Sequence, residues 1–152
     1  MDLKKLLSES GGVQSDSIPS FDKPGNIRKK SYLRLLTLLG ALSSATITAS
    51  PQSIQKGAVR DEIIHYFALS LEYVLFLGKE TASTMNSCEP KGSDVDITTQ
   101  LINLFINVNE LFMSPTTDSY ENLLEDMLML AGSLGLTQEE ISGELKKVRG
   151  PA

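Results

Sequence analysis

The sequence predicts an all-α fold, a single-domain helical bundle of four to five main helices. Apolar residues recur with the helical period in several long segments, and no segment shows the alternation of a strand. Helix-stopping residues, among them Pro51, Pro115 and Gly135, separate these segments. A chain of 152 residues is long enough to bury one core. We expect residues 1–26 to form a short helix and a flexible arm, and residues 27–149 to form the bundle domain.

The composition narrows the class of protein. Hydrophobic residues make up 41% of the chain and the net charge is −5, which is typical of a globular protein and argues against a nucleic-acid partner. No apolar run approaches the length that spans a bilayer, and residues 1–7 are too short for a signal peptide. The single cysteine, Cys88, cannot form an internal disulfide, which fits a reducing compartment. We expect a cytoplasmic protein with no membrane partner.

The first two main helices carry long apolar stripes. The first is predicted from Ile27 to about Thr46, and the second from Ser53 or Ala58 to Glu80. The second helix is apolar over a wide face, which predicts a central position in the bundle. The stripe residues are Leu35, Leu38, Leu39 and Leu42 in the first helix, and Ile64, Phe67, Ala68, Leu71, Val74 and Leu75 in the second.

Two further helices follow a loop that is rich in Ser, Gly and Pro. The third is predicted from about Asp94 to Met113, and Pro115 ends it. The fourth is predicted to start at Asp118, because Glu121 three residues later completes a capping-box pattern.

A fifth, shorter helix is predicted at the end of the chain. Gly135 is placed to cap the fourth helix in the left-handed conformation. Thr137 and Glu140 then form a second capping-box pattern, which predicts the start of the fifth helix.

Basic residues crowd the beginning of the first main helix. Positive charge in a first turn opposes the helix dipole, so this cluster does not favour the fold. It is either a solvated helix end or a contact for an anion or an acidic partner. The candidate partner-binding residues are Lys23, Arg28, Lys29, Lys30 and Arg34.

Catalytic patterns are mostly absent from the sequence. It contains neither a glycine-rich phosphate loop nor a GxSxG serine, and His65 is its single histidine. Glu62 and His65 are three residues apart and share a helix face. The pair is either a surface or interface contact or part of a metal site, and two ligands do not complete such a site. We expect no catalytic residues and no bound metal.

Three segments resemble the all-α NTP pyrophosphohydrolase superfamily, which includes the dimeric dUTPases and MazG. Residues 59–71 are similar to its second signature helix, in which an ExxD acid pair precedes an apolar run. Residues 38–42 look like its ExxE helix, and residues 120–141 resemble its late helix pair. The similarity extends over residues 32–148, most of the chain.

The resemblance implies a site that has lost most of its acids. In the family these acids bind Mg²⁺, which positions the water that attacks the triphosphate. Leu38 and Ala41 stand at the ExxE positions, and neither can bind a metal. Glu62 keeps its carboxylate, whereas His65 replaces the aspartate, and imidazole is a poor ligand for Mg²⁺. The four positions of this degenerate site are therefore Leu38, Ala41, Glu62 and His65.

These observations favour a non-catalytic, pseudoenzyme-like bundle without a cofactor. We expect it to act through protein–protein contacts, as a homodimer and with a protein partner that the sequence does not identify. Its size would fit an accessory or regulatory protein of a virus or phage. The alternative is a divergent Mg²⁺-dependent nucleoside triphosphate pyrophosphohydrolase. A third hypothesis is an adaptor for nucleic acid or an anionic surface through the basic cluster, which the acidic net charge disfavours.

Overall fold

The structure of the protein, a computed structural model, describes residues 5–6, 24–80 and 94–149. Lys23, Cys88 and most of the expected N-terminal arm lie outside these residues. Throughout the described ranges the regular secondary structure is α-helical, which confirms the predicted all-α class. These ranges contain six helices of five or more residues: α1 (Pro24–Ile47), α2 (Pro51–Gln55), α3 (Ala58–Glu80), α4 (Ile97–Met113), α5 (Thr117–Leu134) and α6 (Gln138–Arg149).

The boundary between the first two main helices contains an additional short helix. The sequence leaves the start of the second helix open between Ser53 and Ala58, and the structure has a helix at each place. The Ser50 side chain caps α2 by accepting a hydrogen bond from the Ser53 backbone N–H. Gly57 then adopts a φ of 105°, a left-handed conformation that separates α2 from α3 and that glycine adopts at little cost.

Three predicted helix starts shift by one to three residues. Helix α1 begins at Pro24 rather than Ile27, because proline is tolerated in the first turn of a helix. Helix α4 begins at Ile97, with Asp96 as its N-cap. The capping box predicted for Asp118 and Glu121 is wrong, since α5 already begins at Thr117. Its reciprocal cap is formed two residues earlier in the chain, by Thr116 and Ser119.

The predicted turn between α5 and α6 is confirmed. Gly135 adopts a φ of 68° and ends α5 in the left-handed conformation. The Glu140 backbone N–H donates to the Thr137 hydroxyl, and the Thr137 backbone N–H donates to the Glu140 carboxylate. Both hydrogen bonds of the predicted capping box are therefore present.

Helix α3 lies at the centre of the fold, as its wide apolar face predicts. It packs against α1, α2, α5 and α6, whereas α4 packs against α1 and α5. In the described part of the chain, no helix combines the length and apolar composition needed to cross a membrane. The largest fully buried side chains come from all four long helices and from the N-terminal segment: Leu6, Leu35, Leu39, Leu42, Ile63, Phe67, Leu71, Leu77, Leu104, Leu111, Leu123 and Leu124.

Helices α3 and α5 are in contact where Gly78 meets Tyr120. A Cβ atom added to Gly78 would lie 2.2 Å from the Tyr120 ring, so no larger residue fits there without displacing the ring. Burial of Tyr120 raises the pKa of its phenol to about 12. The Tyr120 ring thus occupies the space that a side chain at position 78 would fill.

Candidate functional site

A solvent-accessible pocket of about 650 Å³ lies between the start of α3 and α6. We call it the acidic pocket, because five of its lining residues are Asp or Glu. Acids from two helices converge here because the first turns of α3 pack along α6. The lining residues are Asp61, Glu62, Ile64, His65, Glu139, Glu140, Gly143, Glu144 and Lys147.

His65 connects the two sides of the acidic pocket. Its Nδ1 lies 2.6 Å from the Glu144 Oε1, which joins α3 to α6. Glu62 is exposed on the same pocket. The structure thus places His65 in a contact between helices, one of the two interpretations of the Glu62–His65 pair. Among the described residues, no three His, Cys, Asp or Glu side chains form a group that could hold a metal ion.

The other two positions of the degenerate site lie on α1. Leu38 is buried in the hydrophobic core, and Ala41 is half-buried. Neither residue lines the acidic pocket. The structure therefore brings Glu62 and His65 together in one pocket and leaves Leu38 and Ala41 out of it.

Beside the acidic pocket, Arg60 makes a set of contacts that the sequence does not predict. Its guanidinium group donates two hydrogen bonds to the Glu140 carboxylate, with distances of 3.0 and 2.6 Å. It also donates to the backbone carbonyls of Ile54, Leu134 and Gly135 at 2.9 to 3.3 Å. One side chain thus joins α2, α3, the end of α5 and the start of α6.

These contacts change the titration of Glu140. Burial alone would raise the pKa of this carboxyl group. The hydrogen bonds from Arg60 and Thr137 and the guanidinium charge outweigh burial, so the pKa of Glu140 lies below its ordinary value. The Arg60–Glu140 ion pair is therefore formed at neutral pH and holds the α5–α6 turn against α3.

The basic cluster lies at the opposite end of α1 from these contacts. The Arg28 guanidinium carbon lies 5.4 Å from the Tyr32 ring centroid and 5.8 Å from that of Phe112. In the part of the chain that the structure describes, the buried Arg28 Nη2 has no hydrogen-bond partner. Lys29, Lys30 and Arg34 are exposed. The proposed partner-binding role of these residues and of Lys23 stays a prediction.

An apolar groove of about 340 Å³ adjoins this cluster, between α1 and α4. Two aromatic rings form its floor, because Tyr32 and Phe112 pack edge to face with centroids 5.0 Å apart. Leu33, on the rim, is 63% exposed. The lining residues are Lys29, Tyr32, Leu33, Leu36, Val108, Asn109 and Phe112.

Further exposed apolar residues lie on the outer face of α4 and, in the case of Val95, two positions before the helix begins, and we call them the α4 row. Val95 is 43% exposed, Ile102 55%, Ile106 57% and Met113 73%. The sequence predicts a different set of residues as the core stripe of this helix: Leu101, Leu104, Val108 and Leu111 are buried, and Phe105 and Phe112 are half-buried. The α4 row was not identified from the sequence, although the isoleucines outside the predicted stripe were a usable signal.

The acids of α5 lie away from the acidic pocket. Asp126 accepts a hydrogen bond from the Asn107 amide of α4. Burial is the main cause that raises the pKa of Asp126, and the nearby charge of Glu125 adds to it, while the Asn107 bond opposes both. Asp126 therefore contributes to the contact between α4 and α5.

Comparisons of the chain with family models, with curated proteins and with solved structures give no match. The resemblance to the all-α NTP pyrophosphohydrolases therefore stays a prediction.

Proposed function

We propose that the protein is a non-catalytic helical bundle that acts through protein–protein contacts and assembles as a homodimer. The observation that carries this proposal is the α4 row, three exposed apolar side chains on α4 and one just before it, with Leu33 exposed on neighbouring α1. Large apolar side chains that are exposed on one side of a folded domain are typical of a protein-interaction site. Accessory or regulatory proteins work through surfaces of this kind.

The state of the acidic pocket supports the non-catalytic part of the proposal. Glu140 is bound by Arg60 and by Thr137, and Glu144 is bound by His65. These carboxylates hold helices together instead of facing a ligand.

Light scattering after gel filtration tests the assembly. We expect a mass of twice 16.6 kDa at micromolar concentration, and a single protomer for a variant that carries Ile102→Asp and Ile106→Asp. The matched control is Val148→Asp on α6, which places the same charge at another exposed apolar residue and leaves the dimer intact. A monomeric wild-type protein at all accessible concentrations would contradict the homodimer.

Incubation with Mg²⁺ and a panel of nucleoside triphosphates, including dUTP, tests the absence of catalysis. We expect no release of pyrophosphate above the buffer rate and no heat of nucleotide binding in calorimetry. Turnover that copurifies with the protein and disappears in Glu62→Gln would contradict the proposal.

A divergent Mg²⁺-dependent pyrophosphohydrolase is the second candidate, because Glu62 is exposed in a pocket that also contains Lys147. A carboxylate for Mg²⁺ and a lysine for phosphate are two of the groups that such a reaction needs. The Glu62→Gln variant distinguishes the two candidates. If Glu62→Gln abolishes a measured turnover, the activity belongs to this pocket. If the turnover is unchanged, the activity comes from a contaminant.

A further inference from the structure

The α4 row has an internal symmetry. Its residues are spaced by seven, four and seven positions, so Val95 and Met113, and likewise Ile102 and Ile106, lie at equal distances on either side of Leu104. Two exposed polar residues, Thr99 and Asn109, lie between the apolar ones, and each is five positions from Leu104. The five positions on α4, from Thr99 to Met113, follow the alternating three- and four-residue spacing of a coiled-coil seam, and Val95 precedes the helix.

A row with this symmetry is complementary to itself when two copies run in opposite directions. In an antiparallel helix pair, residues whose numbers have a constant sum lie opposite each other. A sum of 208 places Ile102 against Ile106 of a second copy and the polar Thr99 against Asn109. Met113 then lies near the residues that precede the second α4, among them Val95. In a parallel pair each residue would instead face its own equivalent.

The charges at the two ends of α4 favour the same orientation. Asp94 and Asp96 are exposed at its beginning. Lys29 of α1 and Phe112 line the same groove near its end, where Glu110 of α4 is also exposed, so the charges at this end balance. A parallel pair places the four acids of the two helix beginnings together, whereas an antiparallel pair separates them and brings each pair of acids towards one Lys29. Opposed helix dipoles add to this preference.

We propose that α4 forms the interface of a two-fold symmetric homodimer, in which the α4 helices of two copies of this chain pair antiparallel with the axis between Ile102 and Ile106. The helical seam from Thr99 to Met113 extends over about 21 Å, from the rise of about 1.5 Å per residue. This inference rests on the proposed function, because it assigns the surface and the orientation of the same homodimer.

Cysteine cross-linking tests the register. Two variants, Ile102→Cys and Ile106→Cys, are made in a Cys88→Ser background, and one of them carries a tag that changes its electrophoretic mobility. A disulfide requires Cα atoms about 4.4–6.8 Å apart. In the proposed pair, positions 102 and 106 of different copies face each other, while two identical positions are offset along the axis by about 6 Å.

We therefore expect the mixture of the two variants to form the tagged–untagged disulfide about tenfold faster than either variant forms its own dimer, because only the mixed pair meets the disulfide geometry. Faster cross-linking of each variant with itself would overturn the antiparallel arrangement. A dimer by light scattering that forms no disulfide in any combination would overturn this interface and leave the proposed homodimer standing. A monomer in light scattering would overturn both.

Charge exchange gives a second measurement that requires no cysteine. Lys29→Glu is expected to weaken dimerisation about tenfold, since it places like charges together at both ends of the seam. Adding Asp94→Lys in the same chain should restore the wild-type dissociation constant. Asp94 is chosen because Asp96 caps α4. The matched control is Lys146→Glu on α6, with no change expected. A Lys29→Glu variant that dimerises as tightly as wild type would contradict the charge arrangement.

Discussion

The α3–α6 side and the α1–α4 side of the bundle differ in the contacts that their surface side chains make. Around the acidic pocket, Arg60, Glu140, His65 and Glu144 bind one another or nearby backbone. Around the α1–α4 groove, apolar side chains are exposed and a buried nitrogen of Arg28 has no hydrogen-bond partner among the described residues. The first side is complete within one chain, whereas the second has the character of a surface that a partner covers. Four predictions test this difference.

The largest effect on the free energy of unfolding is expected for a core residue of α4, in comparison with an exposed residue of the same helix. Leu104→Ala removes a fully buried side chain and should reduce the free energy of unfolding by about 3 kcal/mol. Ile106→Ala, two residues along the helix, should change it by less than about 0.5 kcal/mol in monomeric protein at low concentration. Urea unfolding measures both. A cost for Ile106→Ala that equals that of Leu104→Ala under these conditions would show that the α4 row belongs to the core.

The second prediction concerns the contacts of Arg60. Arg60→Met leaves the carbonyls of Ile54, Leu134 and Gly135 without this donor, and should cost about 2 kcal/mol of unfolding free energy. The control is Arg34→Met, at an exposed position of α1, which should change the free energy of unfolding by less than about 0.5 kcal/mol. Chemical denaturation at neutral pH compares the two variants. Equal stabilities would contradict the internal role of Arg60.

The third prediction follows from the pKa of Glu140. This pKa lies below the ordinary value of 4.5 in the folded protein, so the stabilisation is complete above that value and is lost as the pH falls through the folded-state pKa. The Glu140→Gln variant should be less stable than wild type at neutral pH, and the difference should shrink at about pH 3. Urea midpoints at the two pH values measure it. Glu139→Gln, an exposed neighbour, should behave like wild type.

The smallest effect is expected for His65. Its contact with Glu144 is accessible to solvent, and the His65 side chain is 39% exposed. Exposed pairs contribute little, so His65→Ala should cost about 0.5 kcal/mol. Thermal unfolding of His65→Ala, of Glu144→Ala and of the double variant gives the coupling between the two. A coupling free energy several times larger would show that the His65–Glu144 pair, like Arg60, is one of the main contacts between α3 and α6.

The sequence predicts the helices well because their signals are local. Hydrophobic period, Gly135 and the Thr137–Glu140 capping box act within a few residues of each other, and the structure contains all three. The capping box predicted at Asp118 and Glu121 was misplaced by two residues because several Ser, Thr and Asp residues near position 118 suit a cap equally well.

The contacts of the candidate site are harder to predict because they depend on the tertiary fold. Arg60 and Glu140 are 80 positions apart, and nothing in their immediate sequence distinguishes them from other charged surface residues. Glu62 and His65 were singled out from their spacing, but the partner of His65 comes from a helix 79 positions away. The α4 row follows from the packing of α4 on α1 and α5, which determines which face remains exposed.

The contacts of Arg60 also have a kinetic consequence. Apart from the contact with Ile54, six residues away, they join Arg60 to residues 134–140, so they form only after α3 has met the α5–α6 turn. Because closing so long a loop costs entropy before the contacts compensate for it, we expect them to form after the folding transition state. Loss of Arg60 should therefore leave the folding rate nearly unchanged and accelerate unfolding. Arg60 would then chiefly slow unfolding and so lengthen the lifetime of the folded state.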